Sequence, residues 1–369
     1  MNGFQNPIIN FSFNHVEVYL NNRKIELEKL DLFTTSDEYE STTITFLKDW
    51  LNYEDIFYLK TSGSTSTPKV IEISREQMEA SARATIKALK LKSGDRALIC
   101  INTNMIGGKM MLVRTLIEKF NAYIIPPVSD PFKSIPEKFE FDFTAIVPLQ
   151  LETILNNPES SAKLNKLKAV IVGGAVVSES LKSRLQNLTV PIYSTYGMTE
   201  TVSHIALKLL NGPEQSDYFK VFDGIETRVD SRGCLEIKGT VTNNQWIITN
   251  DLVQFHSERE FTWLGRIDNI INSGGIKLQI ESIENKINTI LKDRNYDGNF
   301  FLSKNADEKL GEALAFYYEG IETQKSEILQ LLKKELSKYE VPRYIVFCKT
   351  FEYTTSGKID KLMTIKNNK

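Results

Sequence analysis

"TSGSTSTPKV", residues 61–70, sets seven hydroxyl-bearing or glycine residues ahead of one proline, one lysine and one valine, just after the apolar run Ile56-Phe57-Tyr58-Leu59. Gly63, flanked by Ser62, Ser64 and Thr65, can turn backbone N–H groups inward, and the hydroxyls, Thr61 included, add donors that reorient around an oligoanion. Lys69 places a point charge at the rim. A polyphosphate suits such a loop. The Walker A pattern needs glycine before the lysine and a hydroxyl after it; Pro68 and Val70 stand there, so Walker A is excluded. The bland alternative is a polar surface turn, since Ser, Thr, Gly and Pro are the commonest loop residues. The rest of the chain decides between them.

From Ile56 to about residue 250, short apolar runs alternate with helical periodicity. "RALICI", "AYIIPPV", "FTAIV", "AVIVGGA" and "VPIYSTYG" read as strands. Between them lie amphipathic segments such as the one opening at Ser74, where Gln77 completes a capping box and Met78, Ala82 and Leu89 share a face. This alternation predicts a layered α/β domain with a largely parallel sheet. After about residue 219 the texture changes to "KVFDGIETRVDSRGCLEIKG", two alternating runs joined at Ser231-Arg232-Gly233, which predicts a hairpin or small barrel-like portion. A boundary falls near "GRIDNIINSGG". Beyond it, a helix from about 281 with Ile283, Ile287, Ile290 and Leu291 on one stripe, strands "NFFLS" and "EALAFYYE", a helix from about 322 with Ile328, Leu331, Leu332 and Leu336, and a last strand "YIVFCKTF" predict a small α+β domain. The expected domains are residues 1–266 and 267–369.

The chain has 369 residues, 41% hydrophobic and 25% charged, as in ordinary globular proteins. With 45 basic and 47 acidic residues the net charge is −2, which gives no global field favouring nucleic acid or an anionic membrane. Cys100, Cys234 and Cys348 lie far apart without CxxC spacing, the pattern of buried reduced thiols. His15, His204 and His256 are equally scattered, so a His/Cys zinc site has no support. No stretch approaches the roughly 18 apolar residues of a membrane span, and no basic segment leads into an apolar one at the start. A cytoplasmic protein is expected, monomer or homodimer.

Further stretches add chemistry. "VGGA", residues 172–175, ends a strand with Gly173 and Gly174, which permit close backbone approach to a flat ring. "STYGMTET", residues 194–201, follows another strand, and strand ends are where open α/β sheets bind ligands. It offers Tyr196 as a stacking face and Glu200 as a hard oxygen ligand, with Thr199 beside it. Asp251 in "TNDLVQF" can accept from ribose hydroxyls, although an Asn-Asp pair is commonly a simple turn. Arg266 and Asp268 lie at the domain boundary ahead of a flexible Gly274-Gly275. "TTSGKIDK" places Lys358 in a glycine-containing loop near the C-terminus; a lone lysine is usually just solvated.

Taken in order, these stretches resemble the adenylate-forming superfamily of acyl- and aryl-CoA synthetases, peptide-synthetase adenylation domains and luciferases, from about residue 56 to 361. The resemblance implies that Thr61 to Lys69 holds the β- and γ-phosphates of ATP. It implies an adenine site at Gly173, Gly174 and Ala175 with Tyr196 and Gly197. Thr65 and Glu200 match the magnesium positions, Asp251 and Arg266 the ribose positions, Asp268 the hinge and Lys358 the adenylation lysine. Ser273, Gly274 and Gly275 would line the passage for coenzyme A when the C-terminal domain rotates. The chain departs from the family pattern at Ser66, where a second glycine is usual, in "FEYTTSGK", which lacks the common proline, and at Asn104-Met105. The phosphate loop also begins earlier than in most relatives, so the expected N-terminal portion of the first domain is missing or minimal. "YGMTETVSHIAL" is similar to the extended motif of the o-succinylbenzoate-CoA ligases of menaquinone synthesis.

The implied activity is that of an ATP-dependent acid-CoA ligase that forms an acyl-AMP and then a CoA thioester, with ATP, Mg²⁺ and CoA as its small-molecule partners. Alternatives are a ligase for another aryl or acyl acid, or a stand-alone adenylation domain that loads a carrier protein. A second carboxylate on the acid needs a donor or cation at the far end of its pocket, for which His204, Ser203, Lys109 and Arg114 are candidates by position.

Overall fold

Four-residue runs such as Phe143–Ile146 and Ala169–Val172 are buried at every position, the signature of strands covered on both faces. A computed structural model describes residues 15–60, 70–296, 298–353 and 359–368. Packing divides the chain into two units, Met1–Phe57 with Ser74–Gly174, and Tyr58–Ile73 with Ala175–Lys369.

In the first unit the strands run in the order Ala169–Val172, Phe143–Ile146, Arg96–Ile99, Asn121–Ile124, Val18–Leu20 and Arg23–Ile25. All neighbours are parallel except the last pair, Val18–Leu20 with Arg23–Ile25, which forms a hairpin. Helices Arg75–Leu89 and Ile106–Glu118 pack on one another. Gly108 lets the second of these lie against the backbone of Asn102 and Thr103, which any Cβ would meet. Cys100 is fully buried, and burial pushes its thiol up to about 12, so it is inert packing material.

The second unit contains an antiparallel run ordered Ile225–Val229, Cys234–Gly239, Ile247–Ser257, Glu260–Arg266, Phe219–Val221, His204–Leu209 and Ile192–Gly197. The expected hairpin at Ser231-Arg232-Gly233 is present, with Gly233 at φ +80°. No closed barrel forms among the described residues. The run ends at Ile225–Val229, a strand with no buried position and so no second sheet to close against.

From Ile270 onward the same unit builds a five-stranded sheet of its own from Ile270–Ser273, Ile276–Gln279, Phe300–Asp307, Gly311–Glu319 and Tyr344–Cys348. Helices Ile280–Lys292 and Lys325–Glu335 cover it, placing Ile283, Ile287, Leu291, Ile328 and Leu332 in one core with Leu314 and Phe316. These are the stripes legible in the sequence. All three cysteines are free and buried, and among the described residues no helix is long and apolar enough to cross a membrane.

The capping box at Ser74 is present in both directions. The Ser74 hydroxyl accepts from the Gln77 N–H at 3.2 Å, and the Ser74 N–H donates to Gln77 Oε1 at 2.9 Å. Ser74→Ala is expected to lower stability by about 1 kcal/mol, read as a shifted urea midpoint with an unchanged slope.

Candidate functional site

The first unit places its chemistry at the carboxyl ends of the parallel strands. Arg96–Ile99 has the next strand in the chain, Asn121–Ile124, on one side and Phe143–Ile146 on the other. The sheet therefore changes its direction of growth there, and ligands bind outside the strand ends at such a switch point. Gln150, 4% exposed, braces this edge. Its Nε2 donates to the carbonyls of Cys100 and Val128, both at 2.9 Å, and its Oε1 accepts from the Val147 N–H at 3.1 Å. Sequence reasoning missed Gln150; its only signal was its place in the first turn of a helix that follows a strand.

Gly173 and Gly174 emerge beside this brace. The Gly173 N–H donates to the Ile146 carbonyl at 3.1 Å, and Gly174 sits at φ +84°, with Val147 Cγ1 3.5 Å from where its Cβ would be. With exposed Val147 and Leu149 alongside, the edge is bare backbone next to apolar surface, suited to a flat ring. Asn104 is exposed on the neighbouring turn, and Met105 immediately precedes helix Ile106–Glu118. Two candidates for a far-end cation face elsewhere. The Lys109 amine lies 4.5 Å over the Phe46 ring, and burial lowers its pKa. Arg114, 1% exposed, donates to Thr85 Oγ1 at 3.1 Å inside the helix layer, where burial brings its guanidinium down to about 9.

In the second unit, Ala175 is exposed, and the segment from Gly197 to His204 folds into a tight reversal. Gly197 pairs with His204 so closely that a Cβ would strike the Ser203 carbonyl and His204 Cα. The Thr201 hydroxyl, fully buried, accepts from the Met198 N–H at 3.1 Å and donates to the Ser203 carbonyl at 2.8 Å. Val202 lies at φ 66°, ψ −56°, while the Ser203 N–H donates to the Thr201 carbonyl at 2.7 Å. This is a γ-turn of the rare, strained kind, made stranger by a β-branched residue. Strain of this sort costs about 1–3 kcal/mol and persists only where surroundings enforce it. The turn leaves Glu200 exposed with Thr199 half-exposed beside it, and holds His204 against Phe222, the ring centroids 5.4 Å apart. The Ser203 hydroxyl is 3.2 Å from His204 Nδ1.

Asp251 anchors the other half of this unit's site. It is 7% exposed, on strand Ile247–Ser257, directly opposite Arg266. Tyr196 Oη donates to its Oδ2 at 2.7 Å, Trp263 Nε1 donates to its Oδ1 at 3.2 Å, and Arg266 Nη1 lies 3.8 Å from Oδ1. Burial and then the Asp251 charge push the Tyr196 phenol far above its ordinary 10, so it stays a donor. Among the described residues, two of the roughly four lone-pair sites of the carboxylate are used, which suits it to hydroxyl donors. The Tyr196 ring packs edge-on to Phe261 at 5.1 Å. Arg266 Nη2 also donates to Asp268 Oδ2 at 2.7 Å, and Asn250 Nδ2 donates to both Asp268 oxygens at 3.0 Å. Tyr196, Asp251, Arg266 and Asp268 thus form one hydrogen-bonded and ion-paired chain.

Ser273-Gly274-Gly275 proves to be a hairpin apex rather than a loose pair. Ser273 pairs with Ile276, and both glycines take positive φ, +57° and +84°, as a two-residue hairpin turn requires. The phosphate loop, Thr61, Ser62, Gly63, Ser64, Thr65 and Lys69, lies outside the described residues, as does Lys358. The described flanks of the latter, Tyr353 and Ile359, form an antiparallel bridge. Among the described residues no cluster of three His, Cys, Asp or Glu side chains could cage a metal. One exposed carboxylate, Glu200, fits a magnesium ion shared with substrate phosphates, the usual mode for that ion, and not a dedicated protein cage.

A family model described as AMP-binding enzyme matches residues 16–232. Indoleacetate–CoA ligase of Aromatoleum aromaticum is 25% identical over 341 residues, covering 82% of this chain and 65% of its own length. 2-Succinylbenzoate–CoA ligase of Bacillus cereus is 24% identical over 344 residues, covering 85% of this chain and 70% of its own. The chain thus spans about two thirds of the curated relatives it matches. A crystal structure from Dyadobacter fermentans, of an acyl-CoA synthetase (AMP-forming)/AMP-acid ligase II-like protein, is 39% identical. It superposes with a TM-score of 0.63 and covers 94% of this chain and 99% of its own. The family match and the names of these relatives support an AMP-forming acid–CoA ligase.

Asp268 gives the site a pH signature. Burial raises its carboxyl, but Arg266, Asn250 and Arg232 together outweigh that and hold it below its ordinary 3.8. A carboxylate with a lowered folded pKa adds stability that is fully present above its unfolded pKa and fades as pH falls through the folded one. Asp268→Asn is expected to be less stable than the parent at about pH 6, with the gap narrowing steadily below about pH 4. Urea midpoints across that range check this; a gap that does not vary with pH would show that the charge plays no part.

Proposed function

The chain belongs to the AMP-binding enzyme family of the adenylate-forming superfamily, and from that membership we propose that it is an ATP-dependent acid–CoA ligase whose acid is o-succinylbenzoate. The observation that carries the nucleotide assignment is Asp251, a buried carboxylate oriented by Tyr196 and Trp263 with Arg266 beside it. An acceptor and a cation side by side are what a ribose joined to a phosphate requires. The resemblance to the superfamily assigns adenine to Gly173, Gly174 and Ala175 and to Tyr196 and Gly197.

In the first half-reaction a carboxylate oxygen of the acid attacks the α-phosphorus of ATP. The bond from that phosphorus to the bridging oxygen breaks, and pyrophosphate leaves with its electron pair. Two anions must meet, so the site has to supply positive charge where it accumulates. Lys358 provides the ammonium, Thr61 to Lys69 cradle the leaving phosphates, and Glu200 with Thr65 would hold Mg²⁺, with Thr199 beside the site. Bound there, the ion supplies Lewis-acid neutralisation of phosphate charge. In the second half-reaction the CoA thiolate attacks the acyl carbonyl and AMP leaves. Asp268 serves as the pivot by which residues 267–369 withdraw Lys358 and bring Ser273, Gly274 and Gly275 beside the pantetheine.

The choice of acid rests on "TETVSHIAL" and on relatives that act on 2-succinylbenzoate. Ser203 and His204, fixed by the strained turn, are the residues assigned to the unreacted carboxylate. The indoleacetate–CoA ligase relative favours a second reading, a flat aromatic acid without that extra charge. Thioester formation measured with o-succinylbenzoate, indoleacetate, benzoate and medium-chain fatty acids separates them. The highest kcat/KM is expected for o-succinylbenzoate; a preference for indoleacetate would remove the role given to His204. Lys358→Ala is expected to abolish pyrophosphate exchange while leaving thioester formation from supplied acyl-adenylate largely intact, and equal losses in a folded variant would refute that division of labour.

A further inference from the structure

Two side chains at the head of helix Ile280–Lys292 reach back across the segment that carries Asp268. Gln279 Nε2 donates to the Arg266 carbonyl at 3.2 Å and to Glu281 Oε2 at 2.5 Å. Glu281 Oε1 in turn accepts from the Arg266 N–H at 3.3 Å and from Asn269 Nδ2 at 2.5 Å. Both backbone polar groups of Arg266 are therefore held by side chains that follow it by 13 and 15 positions. Gly265 completes the fit. It sits at φ +126°, and a Cβ there would overlap Gln279 Nε2 and come within 2.9 Å of Glu281 Oε2. Glycine at this position is thus required twice, by its backbone angle and by the two side chains pressed against it.

We infer that Gln279 and Glu281 are positioning residues, a clasp that fixes Arg266 and spans the pivot at Asp268. Arg266 precedes Asp268, whereas Gln279 and Glu281 follow it, so a rotation about Asp268 pulls on the two bonds that cross it, those to the Arg266 carbonyl and N–H. Hydrogen bonds to an ionised carboxylate are stronger than neutral ones, and a set of them biases a two-state equilibrium by their differential strength in the two states. The clasp favours the arrangement in which it is formed and sets how readily the chain leaves it. In its consequence for turnover this rests on the reading of Asp268 as the pivot between two half-reactions; the clasp itself does not.

The test uses the full chain with Glu281→Ala, Glu281→Gln and Gln279→Ala. Hydrogen exchange at the Arg266 amide needs no substrate. Glu281→Ala is expected to speed it roughly tenfold, as loss of a charged acceptor implies, while Glu281→Gln, which keeps an acceptor oxygen, stays near the parent; unchanged exchange in Glu281→Ala overturns the clasp. Pyrophosphate exchange and thioester formation from supplied acyl-adenylate are then measured separately. Opposite movement of the two rates in Glu281→Ala and Gln279→Ala, with their ratio shifted about tenfold and restored towards the parent by Glu281→Gln, supports a clasp on the pivot. Equal losses in both half-reactions reduce the two residues to structural ones and overturn the inference. If the parent protein shows neither half-reaction, the ligase reading fails, and the exchange measurement alone decides whether the clasp exists.

Discussion

A carboxylate taken out of water has to be compensated, and the compensation of Asp251 organises much of what surrounds it. Leaving such a group unpaired costs far more than any one hydrogen bond returns, so Tyr196 is drawn to it from one strand and Trp263 and Arg266 from another. The strand pairing brings Arg266 opposite Asp251, and that register carries the charge chain on to Asp268 and Asn250. The same group that fixes the packing also suits hydroxyl donors. Structural necessity and ligand recognition are served by one side chain.

Much of this was open to a reader of the sequence, because periodicity and turn chemistry are local. The capping box at Ser74, the strand runs from Arg96 to Gly197, the hairpin at Gly233 and the apolar stripe Ile283, Ile287, Leu291 all appear where the pattern places them. What the sequence could not show depends on partners distant in the chain. Gln150 looks like any polar helix residue until the carbonyls of Cys100 and Val128 converge on it. The hydroxyl of Tyr196 suggested a stacking ring, yet its bond to Asp251 spans 55 positions. Gly274-Gly275 suggested looseness, whereas two positive φ angles in a two-residue connection make a defined turn.

Glycine shows the same divide from another side. Gly108 and Gly197 both sit where a methyl group would run into main-chain atoms of a neighbouring segment. Neither takes a left-handed backbone, so nothing about turn preference marks them. Their role is close approach: one helix settles on the chain after Cys100, and one strand end on the chain before His204. Each of the two units thus uses a missing side chain to bring two stretches of backbone close together.

The turn at Val202 has a thermal consequence. A γ-turn forced on a buried β-branched residue is an energetic high point held in place by its surroundings, chiefly the Thr201 hydroxyl. On warming, segments of this kind release before the framework around them. The reversal that displays Glu200 and steadies His204 is therefore a place where heat loosens the molecule early, and inactivation should run ahead of melting of the sheets.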